Sequence, residues 1–121
     1  MPVRGIRGAT SVESNTKEEI FAKTGELLSQ LIQKNSIDAE EIASIIFSVT
    51  DDIDEAFPAA AARLAGFDFI PLFGCREIPV KGSVSGLIRV LIHMNTEKSQ
   101  REMQHVYLHR AVQLRPDIAS R

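Results

Sequence analysis

The chain has 121 residues, 44% of them hydrophobic and 25% charged, which suits one globular domain with a real core but not two. A formal net charge of −2 and a pI near 5.9 carry no signature of nucleic acid or anionic membrane binding. No apolar stretch approaches the ~20 residues that span a bilayer, no signal-peptide core follows Met1, and one cysteine, Cys75, cannot form an intrachain disulfide. A cytoplasmic protein is expected.

Residues 2–12 read as a strand, with Val3, Gly5, Arg7 and Ala9 on one face and Arg4, Ile6 and Gly8 on the other. Gly5 and Gly8 leave room for close approach of another backbone or a ligand. Thr16-Lys17-Glu18-Glu19 is a capping box that opens a helix over 16–34. Its stripe of Ile20, Thr24, Leu27 and Leu31 is core packing. Asp38 to Glu41 starts a short helical turn, and Ile42 to Thr50, brief and rich in β-branched residues, reads as a buried strand. The acidic run Asp51, Asp52, Asp54 and Glu55 lacks the glycine and distal glutamate of an EF-hand loop, so it reads as a solvated loop.

Pro58 at a first helical position, followed by four alanines, predicts a helix ended by Gly66. Phe69 to Phe73 reads as a strand, an edge strand because of Pro71, and 74–79 as the loop after it. Val80 to Ser83 is a turn and Leu87 to Met94 a strand. Ser99-Gln100-Arg101-Glu102 is a second capping box for a short helix. Val106-Tyr107-Leu108 begins a last strand, and Pro116 closes the ordered chain. Roughly five strands and two main helices in mixed order give an α+β class.

Three arginines, Arg7, Arg89 and Arg115, stand in short apolar runs rather than on polar faces. A guanidinium cannot shed its charge, and its planar fork of donors suits carboxylate or phosphate. Each alone is explained by an ion pair or a snorkelling side chain. Three together point to a pocket for a small, multiply charged anion, and arginine's excess over lysine, nine to five, agrees. There is no P-loop, dinucleotide fingerprint or nucleophile elbow. His105 and His109, on an extended segment, would stand ~13 Å apart and could not share a metal. Cys75 reads as a loop residue without a partner. What remains is arginine with Glu77 and Tyr107, an inventory for binding and charge stabilisation rather than covalent chemistry.

The ordered set Arg4-Gly5-Ile6-Arg7-Gly8-Ala9-Thr10, Phe57-Pro58-Ala59, Glu77-Ile78-Pro79-Val80, Ile88-Arg89-Val90-Leu91, His105-Val106-Tyr107-Leu108 and Leu114-Arg115-Pro116-Asp117 resembles the monofunctional AroH-type chorismate mutases over nearly the whole chain. The resemblance implies a mixed-sheet pseudo-α/β barrel assembled as a homotrimer, with sites at subunit clefts. It implies a cofactor-free, metal-free intramolecular Claisen rearrangement of chorismate to prephenate, in phenylalanine and tyrosine synthesis. By the same resemblance, Arg89 meets the ether oxygen and a carboxylate, Arg7 a carboxylate, Glu77 the ring hydroxyl and Tyr107 the side-chain carboxylate. Phe57 and Arg63 would come from a neighbouring subunit. Ala59, Phe73 and Gly74 would add to the substrate lining, and Leu114 and Arg115 would belong to a mobile segment over the site.

Two positions depart from the family pattern. Ala60 stands where members usually have lysine, and Gly74 where they usually have cysteine, displaced here to Cys75. Arg76 is a candidate to replace the missing charge. These departures keep open a non-catalytic trimer that binds a small carboxylate as sensor or scaffold; an imine deaminase on a similar trimeric fold is less consistent with Glu77, Arg89 and Tyr107. The resemblance places the domain at 1–115, with 116–121 as a tail. Tyr107 and Arg115 would be ~26 Å apart if the chain between them stayed extended. They meet one small substrate only if the tail folds back or reaches another subunit.

Overall fold

Alternation along one strand sets the plan of the molecule. In Leu87–Asn95, Ile88, Val90, Ile92 and Met94 are buried, while Arg89, Leu91 and His93 turn to the opposite side and stay half-exposed. In this computed structural model, which describes residues 1–119, that strand (β4) is the centre of a five-stranded mixed sheet. The others are β1 (Val3–Ser11), β2 (Ile42–Val49), β3 (Leu72–Arg76) and β5 (Val106–Tyr107), in the order β3-β2-β4-β1-β5. β4 runs antiparallel to both β1 and β2, and the outer pairs β1/β5 and β2/β3 are parallel.

One face is covered by α1 (Lys17–Asn35) and α2 (Pro58–Leu64). Leu27, Leu28 and Leu31 of α1 pack with Ile6, Phe47, Val90 and Ile92 of the sheet. Gly8 permits this approach: a Cβ there would lie 2.8 Å from Leu31 Cδ1 and 3.1 Å from Leu27 Cδ1. Thr16 caps α1 by accepting from the Glu19 N–H at 3.2 Å, but Glu19 bonds the Glu13 N–H instead of closing the box expected from sequence. The helix ends where Ser36 turns left-handed, at φ 50°. Among the described residues no helix is long and apolar enough to cross a membrane.

The structure corrects the sequence reading in two further places. β3 starts at Leu72, not Phe69, because Phe67 to Ile70 close a turn through the Ile70 N–H and bury Ile70 in the core. It then continues through Gly74, Cys75 and Arg76, which read as a loop because they carry no hydrophobic alternation; parallel pairing with β2 holds them extended. It is an edge strand, as Pro71 suggested. The last strand has only two residues. At His109, φ 53°, the chain turns into a 3-10 segment, His109–Leu114, followed by a short helix α3 (Pro116–Ala119) past the proline expected to close the ordered chain. The described part of the tail thus folds back on its own chain, and the expected ~26 Å separation, with the support it lent to an oligomer, falls away. The last two tail positions, 120 and 121, lie outside the described residues.

Because β5 is so short, side chains complete the outer edge of β1. The Gln100 amide bonds both the N–H and the C=O of Gly5, at 2.8 and 2.6 Å, and His105 Nδ1 accepts from the Arg7 N–H at 2.9 Å.

Candidate active site

The face of the sheet turned away from α1 gathers several of the residues expected at the site. Cys75, Ser48, Arg89, Ala9 and Tyr107 are successive register partners across β3, β2, β4, β1 and β5. They form one row, side by side, pointing away from α1. Phe73, Ile46, Leu91 and Arg7 form the next row. The small Ala9 lies between Arg89 and Tyr107 and is fully buried beneath Ala111 of the 3-10 segment. Glu77 follows the end of β3, tied to β2 by its N–H to the Val49 carbonyl at 2.8 Å. Arg7, Glu77, Arg89 and Tyr107 therefore line a single open cavity of about 360 Å³, shared with Ser48, Cys75 and Arg76.

Arg89 Nη1 donates to Glu77 Oε1 at 3.4 Å, and Ser48 Oγ donates to Glu77 Oε2. Among the described residues no carboxylate forms an ion pair with Arg7. Among the described residues, the cavity thus presents one cation, Arg7, without a carboxylate partner and a second, Arg89, held by a single long contact. Such a surface can take an anion with two carboxylates and orient a hydroxyl toward Glu77. Tyr107 is buried by packing with Ala9, Leu87 and Ala111, and Leu114 packs against the same cluster. Arg115 is bonded through Nε and Nη2 to both oxygens of Asp117, at 3.1 and 3.0 Å. That carboxylate holds the guanidinium above its ordinary pKa, with a smaller contribution from Tyr107.

The remaining residues expected at the site lie elsewhere on this chain. Phe57, Ala59 and Gly74 line a second cavity of about 510 Å³, which meets the first at Cys75 and Arg76. Arg63 is exposed at the last turn of α2, and Phe73 projects from β3 with 67% of its surface exposed. Arg76 reaches both cavities but pairs with Asp51 at 3.1 Å, so its charge is already engaged. His105 and His109 serve different elements: the first meets Arg7 of β1 and the second meets Glu26 of α1 at 2.8 Å. Ser48 was not singled out from sequence. Its signal was there: Ser44, Ile46 and Ser48 alternate with the buried Ile45 and Phe47, which puts polar groups on the same face as Arg89.

Comparison with known proteins agrees over the full length. A family model described as chorismate mutase type I matches residues 3–118. A protein named chorismate mutase AroH from Thermus thermophilus is 50% identical over 119 residues, covering 98% of each chain. One of the same name from Bacillus subtilis is 41% identical over 120 residues, covering 98% of this chain and 94% of its own. A solved chorismate mutase from Clostridium thermocellum superposes with a TM-score of 0.87 at 48% identity, covering 88% of this chain and 96% of that one. With matching sequence, sheet topology and length, the chain belongs to the type I chorismate mutase family.

Proposed function

We propose that the chain rearranges chorismate to prephenate on the open face of its sheet, with Arg89, Glu77 and Arg7 meeting the substrate. The activity is that of the family: a chorismate mutase, an isomerase. The observation that carries the site assignment is the single cavity bounded by Arg7, Glu77, Arg89 and Tyr107.

The reaction is intramolecular, so the protein needs neither nucleophile nor proton shuttle. It must hold a compact, chair-like conformer and stabilise charge where the ether bond breaks. Arg89 projects from the central strand, where pairing on both sides fixes its backbone. Its fork spans the ether oxygen and a carboxylate, Arg7 binds a carboxylate, Tyr107 assists with the side-chain carboxylate, and Glu77 accepts from the ring hydroxyl. Leu114 and Arg115, folded beside Tyr107, close over the substrate. Phe57 and Arg63 complete the lining from a neighbouring subunit of a homotrimer, the pseudo-α/β barrel implied by the resemblance, and Ala59, Phe73 and Gly74 add to it. Exposed Phe57, Leu64, Phe73, Ile78 and Val80, beside the sheet face opposite α1 and α2, support that assembly. A single functional unit at 1–115, with 116–121 as a tail, and a cytoplasmic location belong to the same reading.

The test is loss of chorismate ultraviolet absorbance with purified protein, with prephenate identified as product. Arg89→Ala is expected to lower turnover at least ~100-fold, as for removal of an oxyanion donor. Wild-type protein that leaves chorismate unchanged would overturn the activity. Near-normal turnover in Arg89→Ala would overturn the role of this arginine.

A further inference from the structure

One hydroxyl in the reaction cavity has no part in the chemistry above. Ser48 stands on β2, directly across the ladder from Arg89 on one side and from Cys75 on the other. Its Oγ donates to Glu77 Oε2 while Arg89 Nη1 reaches Oε1 at 3.4 Å. The carboxylate is gripped at both oxygens, and both grips come from interior strands of the sheet. Glu77 itself lies just beyond the end of the edge strand, where its backbone has one bond to β2 and its side chain has several rotatable bonds.

We propose that Ser48 is a positioning residue for the reaction, holding the Glu77 carboxylate in place when the substrate takes over Arg89. At 3.4 Å the Arg89–Glu77 contact is at the long end for a hydrogen bond. A substrate carboxylate and ether oxygen compete for the same guanidinium, so Glu77 loses its cationic partner at the moment it must accept from the ring hydroxyl. Without a second tether the carboxylate would follow the guanidinium or turn to solvent. The Ser48 hydroxyl is a neutral donor on a short side chain fixed to a paired strand. It keeps one carboxylate oxygen occupied and leaves the other aimed into the cavity. The inference rests on the proposed role of Glu77, and the test separates the two.

Turnover and KM for chorismate are measured on the full chain for wild type, Ser48→Ala, Ser48→Thr, Glu77→Ala and the Ser48→Ala/Glu77→Ala double variant, with thermal melts as a fold control. Ser48→Ala is expected to lose about tenfold in kcat with KM within about twofold, the effect of one hydrogen bond to a charged group. Ser48→Thr, which keeps the hydroxyl, restores most of it. On the Glu77→Ala background the serine change adds less than about twofold, because the group it positions is gone. Should Ser48→Ala fail to fold, Ser48→Cys, a weaker donor of similar shape, takes its place in the same comparison. Wild-type kcat in Ser48→Ala, an equal loss in Ser48→Thr, or an undiminished loss in the double variant each overturns the positioning role alone. Wild-type protein without turnover overturns the functional reading and this role with it.

Discussion

Arg89 is half-exposed because α1 and α2 cover the opposite face of the sheet, which leaves its side chain open to a ligand. Its neighbours Ile88 and Val90 are buried on the helix side, so the strand cannot rotate to withdraw it. Arg89→Lys keeps the charge but replaces a planar fork with a point charge that cannot span two oxygens. Steady-state assays are expected to show turnover at least about tenfold below wild type, and a fully active lysine variant would mean that charge alone suffices. Arg7 and Arg89 were legible in the sequence because apolar neighbours on both sides place them on strands. Ser48 was not. A serine in a strand of hydrophobic residues reads as filler until the ladder shows that Arg89 and Cys75 flank it.

The connection into β4 shows how one element is locked to another. Gly86 sits at φ +66°, and a Cβ there would lie 2.7 Å from Arg110 Nη2 and 3.2 Å from the Val12 carbonyl. Arg110 donates to the carbonyls of Ser85 and Val12, both at 3.0 Å, so the 3-10 segment is clamped to the start of β4. Gly86→Ala is expected to cost about 1–2 kcal/mol from the backbone conformation alone, measured by urea unfolding. Asp52 closes the same loop by accepting from the Gly86 N–H at 3.2 Å. Burial alone would raise its pKa, but the hydrogen bonds from Thr50 and Gly86, with Arg110 nearby, hold it below the ordinary 3.8. A lowered carboxylate pKa gives stability that is fully present above 3.8 and is lost as pH falls through the lowered value. The stability advantage of wild type over Asp52→Asn is therefore expected to shrink in acid melts below that pH, and an unchanged gap would refute it. At this scale the helices and β1, β2 and β4 were legible from periodicity and caps. The 3-10 segment was not, because its start depends on a left-handed histidine and its hold on one arginine, neither of which has a periodic signature.

For the whole molecule, the separation of Arg63, exposed on α2, from the cavity that holds Arg89 has a direct test. If Arg63 completes a neighbour's site while Arg89 serves its own, Arg63→Ala and Arg89→Ala proteins, each nearly inactive, should regain activity when unfolded together and refolded as mixed oligomers. Failure to complement, or a monomer by light scattering, would remove the shared site. The α+β class was readable from the order of strands and helices and the mixed sheet only through the family resemblance, whereas what lies over the second face was not, since no periodicity says what covers a face beyond the chain. The side-chain completion of β1 also bears on how this protein behaves among its own copies. A strand edge with free N–H and C=O groups is a template for unwanted pairing. Here the Gln100 amide occupies both backbone groups of Gly5, and His105 occupies the Arg7 N–H, so the edge is sealed without a strand. Gln100→Ala reopens it, and on storage at high concentration that variant is expected to form β-rich aggregates sooner than wild type. Protection of this edge from pairing therefore rests on two side chains with no assigned part in the reaction.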